Sequence, residues 1–471
     1  MIFNSLQFFI FLVVVGLVYY FSPQRFRKSV LIFASVFFIV SFSFVSLMVV
    51  LLSSLLNFYA AQKSRHKILF YTLVSLNIFL ILFFNYFTSA SDQLQVLFKP
   101  IGFELNQLLL AIGLSFYTIQ HIAYLIEVRR GKFAAETDFS IFLLASFYFP
   151  KLVCGPISLY QEIRPQFRFL KPTQQNIESG INRMLFGYFK KIVLADRLAP
   201  AVSSVFDFND DLAGLTIIAA SLIFTIQLYF DFSGYCDIAI GVSRIFGINL
   251  IENFDFPLRS TSITEFWRRW HKSLIHFFTH YIYYPIAFKL RKYFLFSTVV
   301  AIILTFTLSS LWHGIGITFL AWAFCHMTFL CVEFFFKQYC NNFKIKSNNI
   351  VKGIQILCVI TLVTISNIFF REPNSDSLSH LINQLFLLPN YIPNDWLAEF
   401  IAPLAQGGHQ IQLFNFYTSL VLAFVFILFE RKLFAKFNSS KLNYFSVFII
   451  LILIFVFGVF GNSSRFIYMQ F

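Results

Sequence analysis

Two histidines stand among apolar neighbours in this chain. His271 closes the run Ser262-Ile-Thr-Glu-Phe-Trp-Arg-Arg-Trp-His271, and His313 lies in Leu308-Ser-Ser-Leu-Trp-His313-Gly-Ile-Gly. An imidazole titrates near neutrality, so at a reaction centre it can take a proton from one group and return it to another. An ionisable side chain inside a hydrophobic span is expensive to hold and marks a functional site by default. The chain shows no carboxylate pair, no nucleophilic serine elbow, no phosphate-cradling glycine loop and no zinc spacing, and Ser309-Ser310 is too ordinary to read as a nucleophile. A histidine base without a protein nucleophile suits direct transfer, in which the base activates an acceptor hydroxyl for attack on an acyl thioester. Each histidine also has a plainer reading: His271 as part of an interfacial anchor with tryptophans at headgroup depth, His313 as a hydrogen-bonding group between helices. His276, His280 and His326 are read as structural.

The elements that must position these residues are membrane helices. Of 471 residues, 58% are hydrophobic and 12% charged, and the mean hydropathy is +0.73. Soluble domains carry roughly 25% charged residues, so the composition excludes an ordinary soluble enzyme and predicts an all-α polytopic membrane protein. The net charge of +14 falls mainly in short connections between apolar runs. That is the pattern of cytoplasmic loops, so the partner it implies is the lipid bilayer and not a nucleic acid. The six cysteines form no C-x-x-C pair and are expected as buried free thiols.

The first apolar segment, residues 6–21, is followed by Arg25, Arg27 and Lys28 and by no small-residue cleavage pattern, which predicts a retained helix with its N-terminus outside. Residues 30–58 carry basic clusters at both ends and are interrupted by serines, which predicts two short helices in a broken hairpin, tolerated at depth only where buried in protein or lining a cavity. Residues 68–87 cross outward, 92–104 form an outer loop, and 105–126 return. Residues 139–156 are expected to be a second re-entrant or half-buried segment. Residues 181–198, with Arg183, Lys190, Lys191 and Arg197, suit a helix lying along the interface. Spans are expected over 215–232, 299–312, 317–336, 354–370, 416–429 and 445–460, with 371–412 outside the membrane. The count is roughly ten to twelve hydrophobic helices, in a single membrane-embedded domain over 1–471 whose catalytic segment is about 228–335. Within that segment Ser262-x-x-Glu265 reads as a capping box. The helix it starts would carry Trp267, Trp270, His271 and Leu274 on one face and Arg268 and Lys272 on another.

Seven motifs in order resemble those of the membrane-bound O-acyltransferases, and specifically the bacterial branch that includes the membrane subunit of alginate O-acetylation. They are Ser115-Phe-Tyr-Thr-Ile-Gln120, Phe149-Pro-Lys-Leu-Val-Cys-Gly-Pro156, Asp231 to Gly241, Glu252-Asn-Phe-Asp-Phe-Pro257, Ser262 to His271, Leu311-Trp-His-Gly314 and Phe369-Phe-Arg371. The resemblance implies a ring of tilted helices around a thinned, funnel-lined centre, with His313 at the position of the characteristic family histidine and His271 at that of the second. It implies a cytoplasmic thioester donor, acetyl-CoA foremost, with no bound cofactor and no metal site. It further implies an acceptor hydroxyl on an envelope polysaccharide, a periplasmic transferase partner, and residence in a bacterial cytoplasmic membrane. His313 would be the base or would orient the acceptor, and His271 would assist the donor or its carbonyl. Trp267 and Trp312 would shape the pocket with Asn253 at the substrate, and Arg268, with Arg269 and Lys272, would meet donor phosphates unless these form a solvated cationic face. After Tyr283-Tyr-Pro285 the chain reads Ile286-Ala-Phe-Lys-Leu-Arg291, where that branch carries a glycine-rich turn. Peptidoglycan O-acetylation and teichoic-acid D-alanylation use related subunits. A transporter or flippase with histidines relaying protons is a different class, and the lack of an internal repeat counts against it. An interaction scaffold for a periplasmic partner is a third.

Overall fold

The computed structural model describes residues 1–63, 66–89, 113–153, 155–207, 214–339, 348–372, 375–386, 410–438, 444–460 and 467. Among them every regular element is a helix. In chain order these are α1 (Leu6–Phe21), α2 (Gln24–Val40), α3 (Phe44–Gln62), α4 (Lys67–Ser89), α5 (Leu114–Arg129), α6 (Phe139–Phe147), α7 (Phe149–Leu152), α8 (Tyr160–Arg168) and α9 (Gln174–Tyr188). A wide π-helical turn (Phe189–Ala195) leads into α10 (Asp196–Phe206) and α11 (Gly214–Ile245). There follow α12 (Ile263–Arg269), α13 (Lys272–Phe278), a second π turn (Thr279–Tyr283), α14 (Tyr284–Lys289), α15 (Phe294–His313), α16 (Ile317–Tyr339), α17 (Asn349–Arg371), α18 (Ser375–Phe386), α19 (Gln410–Phe437) and α20 (Tyr444–Phe457).

Among the described residues six helices are long and apolar enough to cross a bilayer: α3, α4 to Tyr86, α11, α15, α16 and α17. Two shorter apolar helices, α1 and α20, join them among the described residues, against the ten to twelve hydrophobic helices expected from hydropathy. The outer loop expected at 92–104 lies outside the described residues, as does most of the 371–412 loop. The serine-interrupted stretch 30–58 does break, at Ser41–Ser43, where the Ser43 side chain accepts from the Ser46 amide and caps α3. Only α2 is short, however; α3 has 19 residues and full spanning length. The glycine-free sequence after Pro285 continues as helix α14 to Lys289.

Among its described residues the segment 139–156 is broken at Tyr148 and is largely buried. Asp138 caps α6 by accepting from the amides of Ser140 and Ile141, and the Phe149 amide donates to Ser35 Oγ of α2. Polar stitches hold the surrounding helices. Asn57 of α3 and Asn77 of α4 exchange amide hydrogen bonds at 2.9 and 3.3 Å, and His121 of α5 bridges Ser53 and Ser146. Because hydrocarbon offers no hydrophobic drive between helices, such bonds and close packing carry the association.

The tightest packing joins α9 to α11. Gly180 lies against Gly241 and Gly187 against Gly234, so that an added Cβ at Gly180 or Gly187 would meet the facing carbonyl oxygen at 2.7 or 2.6 Å. The seven-residue spacing returns each glycine to one face, and the reversed order of contact makes the helices antiparallel. This approach brings Arg183 onto Asp237 at 2.7 Å. The interfacial helix expected over 181–198 is therefore corrected. Arg183, Lys190 and Lys191 are at most 3% exposed. Lys190 reaches Asp237 and Glu430, and Lys191 reaches Asp196 and Asp231. The cations looked amphipathic in sequence because, Asp196 apart, their carboxylates come from elsewhere in the chain. The cysteine expectation is also narrowed: Cys236 is buried, Cys325 and Cys331 are half-buried and Cys358 is exposed, all as free thiols, while Cys154 and Cys340 lie outside the described residues.

Candidate active site

The Ser262 side chain accepts from the Glu265 amide and starts α12. The reciprocal bond of a capping box goes one residue further back, since Glu265 Oε2 accepts from the amide and hydroxyl of Thr261. The helix does not continue through His271 as periodicity predicts. It ends at Arg269, Trp270 is extended, and His271 takes a left-handed backbone, φ 45° and ψ 50°, before α13 begins. For a residue with a Cβ this conformation costs about 1–2 kcal/mol. The corner is held by two backbone bonds to the incoming loop, Lys272 N–H to the Asn253 carbonyl at 2.8 Å and Asp255 N–H to the Arg269 carbonyl at 3.0 Å.

Asn253 also organises the side chains. Its Oδ1 accepts from the Ser273 amide at 3.1 Å and hydroxyl at 2.9 Å, and its Nδ2 donates to Cys236 Sγ of α11. With Oδ1 thus fixed as an acceptor, the 3.2 Å contact to His271 Nδ1 requires the proton on Nδ1. The Nε2 lone pair of His271 is then the basic one. The ring stands edge-on to Phe232 at 4.8 Å and to Trp312 at 6.2 Å.

His313 is the last residue of α15, and it is buried. Trp312, Trp322 and Phe370 surround its ring at 4.7, 5.3 and 5.3 Å between centroids. Trp312 thus packs against both histidines, which come from segments 42 residues apart in sequence. Trp267 is placed one layer away. Its Nε1 donates to His326 Nδ1 at 3.3 Å, and its ring packs on Phe306 and Trp322. Arg268 is on the exposed side of α12 and is not brought to the histidine pair; Arg269 pairs with Glu265.

One residue read as structural sits closer to the centre than that reading suggests. His326 is 1% exposed and accepts from Trp267, so its Nε2 carries the proton and donates to Ser366 Oγ at 3.0 Å. With Trp267, Trp322, Asn367 and Phe370 it lines a cavity of about 20 Å³. The signal available in sequence was its spacing, one turn from Trp322 on the same face of α16. His276 and His280, by contrast, are exposed and face each other on the rim of α13. Among the described residues no three potential ligands lie together as a metal site.

A helical membrane protein with a paired-histidine centre walled by tryptophans is the class these observations define. Comparison with known proteins specifies it. The profile of the MBOAT, membrane-bound O-acyltransferase family matches residues 31–370, and the chain belongs to that family. It is 34% identical over 345 residues to a probable alginate O-acetylase of Azotobacter vinelandii, covering 71% of this chain and 68% of that one. It is 30% identical over 419 residues to a peptidoglycan O-acetyltransferase of Helicobacter pylori, covering 80% and 78%. It is 26% identical over 257 residues to a teichoic acid D-alanyltransferase of Bacillus subtilis, covering 51% and 62%. The protein is a multi-pass membrane O-acyltransferase.

Proposed function

We propose that this protein moves an acetyl group from acetyl-CoA on the cytoplasmic side to a hydroxyl of a cell-envelope or exopolysaccharide, directly or through a periplasmic transferase. The observation that carries this reading is the convergence of His271 and His313 on Trp312. His313 acts as the base that takes the acceptor hydroxyl's proton. His271, its Nδ1 proton held by Asn253, offers its Nε2 lone pair to the same reaction space. Trp312 and, behind it, Trp267 shape the pocket. Asn253 acts as a positioning residue, its amide committed to the corner that presents His271. Arg268 serves the cytoplasmic surface, where the donor's phosphates arrive. No metal or prosthetic group has a part in this scheme. Residues 228–335 form the catalytic segment of a single domain over 1–471, in a bacterial cytoplasmic membrane with the N-terminus outside.

An alginate-like acceptor is preferred over D-alanylation because the alginate and peptidoglycan relatives align over much more of the chain than the teichoic acid relative. The test is acyl transfer by the purified protein in liposomes, with mass spectrometry of envelope glycans from cells with and without the gene. A His313→Ala variant retaining full transfer ends the base assignment. Unchanged ester content in every glycan fraction ends the envelope-acylation reading.

A further inference from the structure

Two motifs singled out in the sequence, Ser115 to Gln120 and Phe149 to Pro156, have no part in the scheme so far. The structure brings them together around a buried lysine. Lys151 of α7 is 5% exposed and donates to Gln120 Oε1 of α5. Among the described residues it faces no carboxylate, whereas Lys190 and Lys191 each meet two. An ammonium taken out of water without a counter-charge is costly and is driven toward its neutral amine, so a lysine left in this state calls for a reason outside the fold.

The surroundings supply one. Phe116, Tyr117, Gln120 and Lys151 line a cavity of about 10 Å³, the size of one oxygen-centred group. Tyr117 and Gln120 are 1% and 3% exposed, and the Tyr117 hydroxyl and Gln120 Nε2 have no hydrogen-bond partner among the described residues. Residues that carry unspent donors therefore line the space, and no acid lines it. The Lys151 backbone is fixed from behind by Gly155, where an added Cβ would lie 2.3 Å from Lys151 Cα.

Two of the cavity's lining residues connect it to the histidine centre. Phe116 packs edge-on to Trp312 at 5.9 Å. Ile157, which also lines the cavity, donates its amide to Ser273 Oγ, which donates to the same Asn253 Oδ1 that holds His271.

We propose that Lys151, Gln120 and Tyr117 form the subsite that receives the carbonyl oxygen of the acyl group as it is transferred, which makes Lys151 a catalytic residue. This rests on the acyl-transfer reading above. The acceptor hydroxyl oxygen bonds to the thioester carbonyl carbon and its proton passes to His313. The carbonyl π pair moves onto the oxygen facing Lys151. When the C=O bond re-forms, the C–S bond breaks, its pair leaves with sulfur, and the imidazolium returns the proton to give the free thiol and the ester. Donors placed where charge develops stabilise the transition state more than the ground state.

The test uses the full chain in liposomes with acetyl-CoA as donor. Lys151→Met is expected to lower kcat about 100-fold or more, to change the donor KM less than about threefold, and to leave Tm unchanged or raise it, because a lone buried charge has been removed. A merely structural lysine would instead lower Tm and leave kcat of the folded fraction intact. Gln120→Leu gives the same pattern more weakly and serves if Lys151→Met does not fold. A readout without turnover uses the acetonyl analogue of acetyl-CoA, in which CH₂ replaces sulfur, carrying a ¹³C carbonyl. Its infrared band is expected at lower wavenumber on the wild-type protein than on Lys151→Met. Identical bands, or a Lys151→Met kcat within threefold of wild type, overturn the subsite. A wild-type protein that consumes no thioester with any acceptor overturns the function proposed above, and the carbonyl band then decides the subsite by itself.

Discussion

His271 presents its ring from a backbone conformation that side chains rarely adopt, and strain of this kind persists only where the surroundings over-determine it. Asparagine tolerates the left-handed region best among residues with a Cβ. His271→Asn is therefore expected to hold or raise Tm while abolishing most acyl transfer, a separation that thermal unfolding and turnover on one preparation would display. Asn253→Ala should act in the opposite sense. It removes an acceptor used by the Ser273 amide, the Ser273 hydroxyl and His271, so stability should fall by about 1–3 kcal/mol and transfer should fall with it. At this scale the sequence revealed the two histidines by residue type and apolar company. It hid the corner, because Trp267, Trp270 and Leu274 keep a helical period across the break and a left-handed histidine leaves no compositional mark. It hid the buried Lys151 as well, since one lysine beside a proline reads as a loop charge.

Among the elements, α9 and α11 depend on four glycines to meet. Gly241→Val would drive a side chain into the Gly180 carbonyl, which an added Cβ already approaches to 2.6 Å, and would part Arg183 from Asp237. The expected outcome is loss of monodisperse protein on size exclusion in mild detergent, while Gly353→Val, at a position with open space around it, leaves the elution unchanged. The start of α6 is held differently. Partial burial acts to raise the Asp138 carboxyl, but the Lys28 ammonium at 2.8 Å and the Ser140 hydroxyl hold it down at about 2. Its folded value thus lies below the roughly 3.9 of an unfolded chain, so its contribution is present above about pH 4 and is lost as pH falls through about 2. Melting curves of Asp138→Asn are expected to show a lower Tm at pH 7 and a flatter decline than wild type between pH 4 and pH 2.5. Helix breaks at serine and glycine were legible in the sequence because those residues cap and interrupt helices for local reasons. The glycine contacts were not, because four glycines on two helices announce nothing until the helices are paired.

For the whole molecule, hydropathy conveyed the class of fold and misplaced its charges. The rule that puts lysine and arginine in loops is statistical, and Arg183, Lys190 and Lys191 defeat it by drawing carboxylates from α10, α11, α19 and the 246–262 loop. Removing one member leaves others uncompensated: Lys191→Met alone should cost about 3–5 kcal/mol, and adding Asp196→Asn and Asp231→Asn should restore much of the loss, as read by detergent melts. The arrangement also sets an order of events during synthesis. Lys190 waits for Glu430 of α19, Arg197 for the Phe457 carbonyl, and the Asp231 carboxylate for the Ile467 amide, partners that are synthesised 236 to 260 residues later. Until they arrive the first half of the protein holds cations and anions that it cannot fully satisfy. The arrival of α19 and the segments after it is thereby signalled in the bilayer itself, and a product truncated before α19 should be recognised and cleared by membrane proteases much faster than one that carries them, as a pulse-chase comparison would measure.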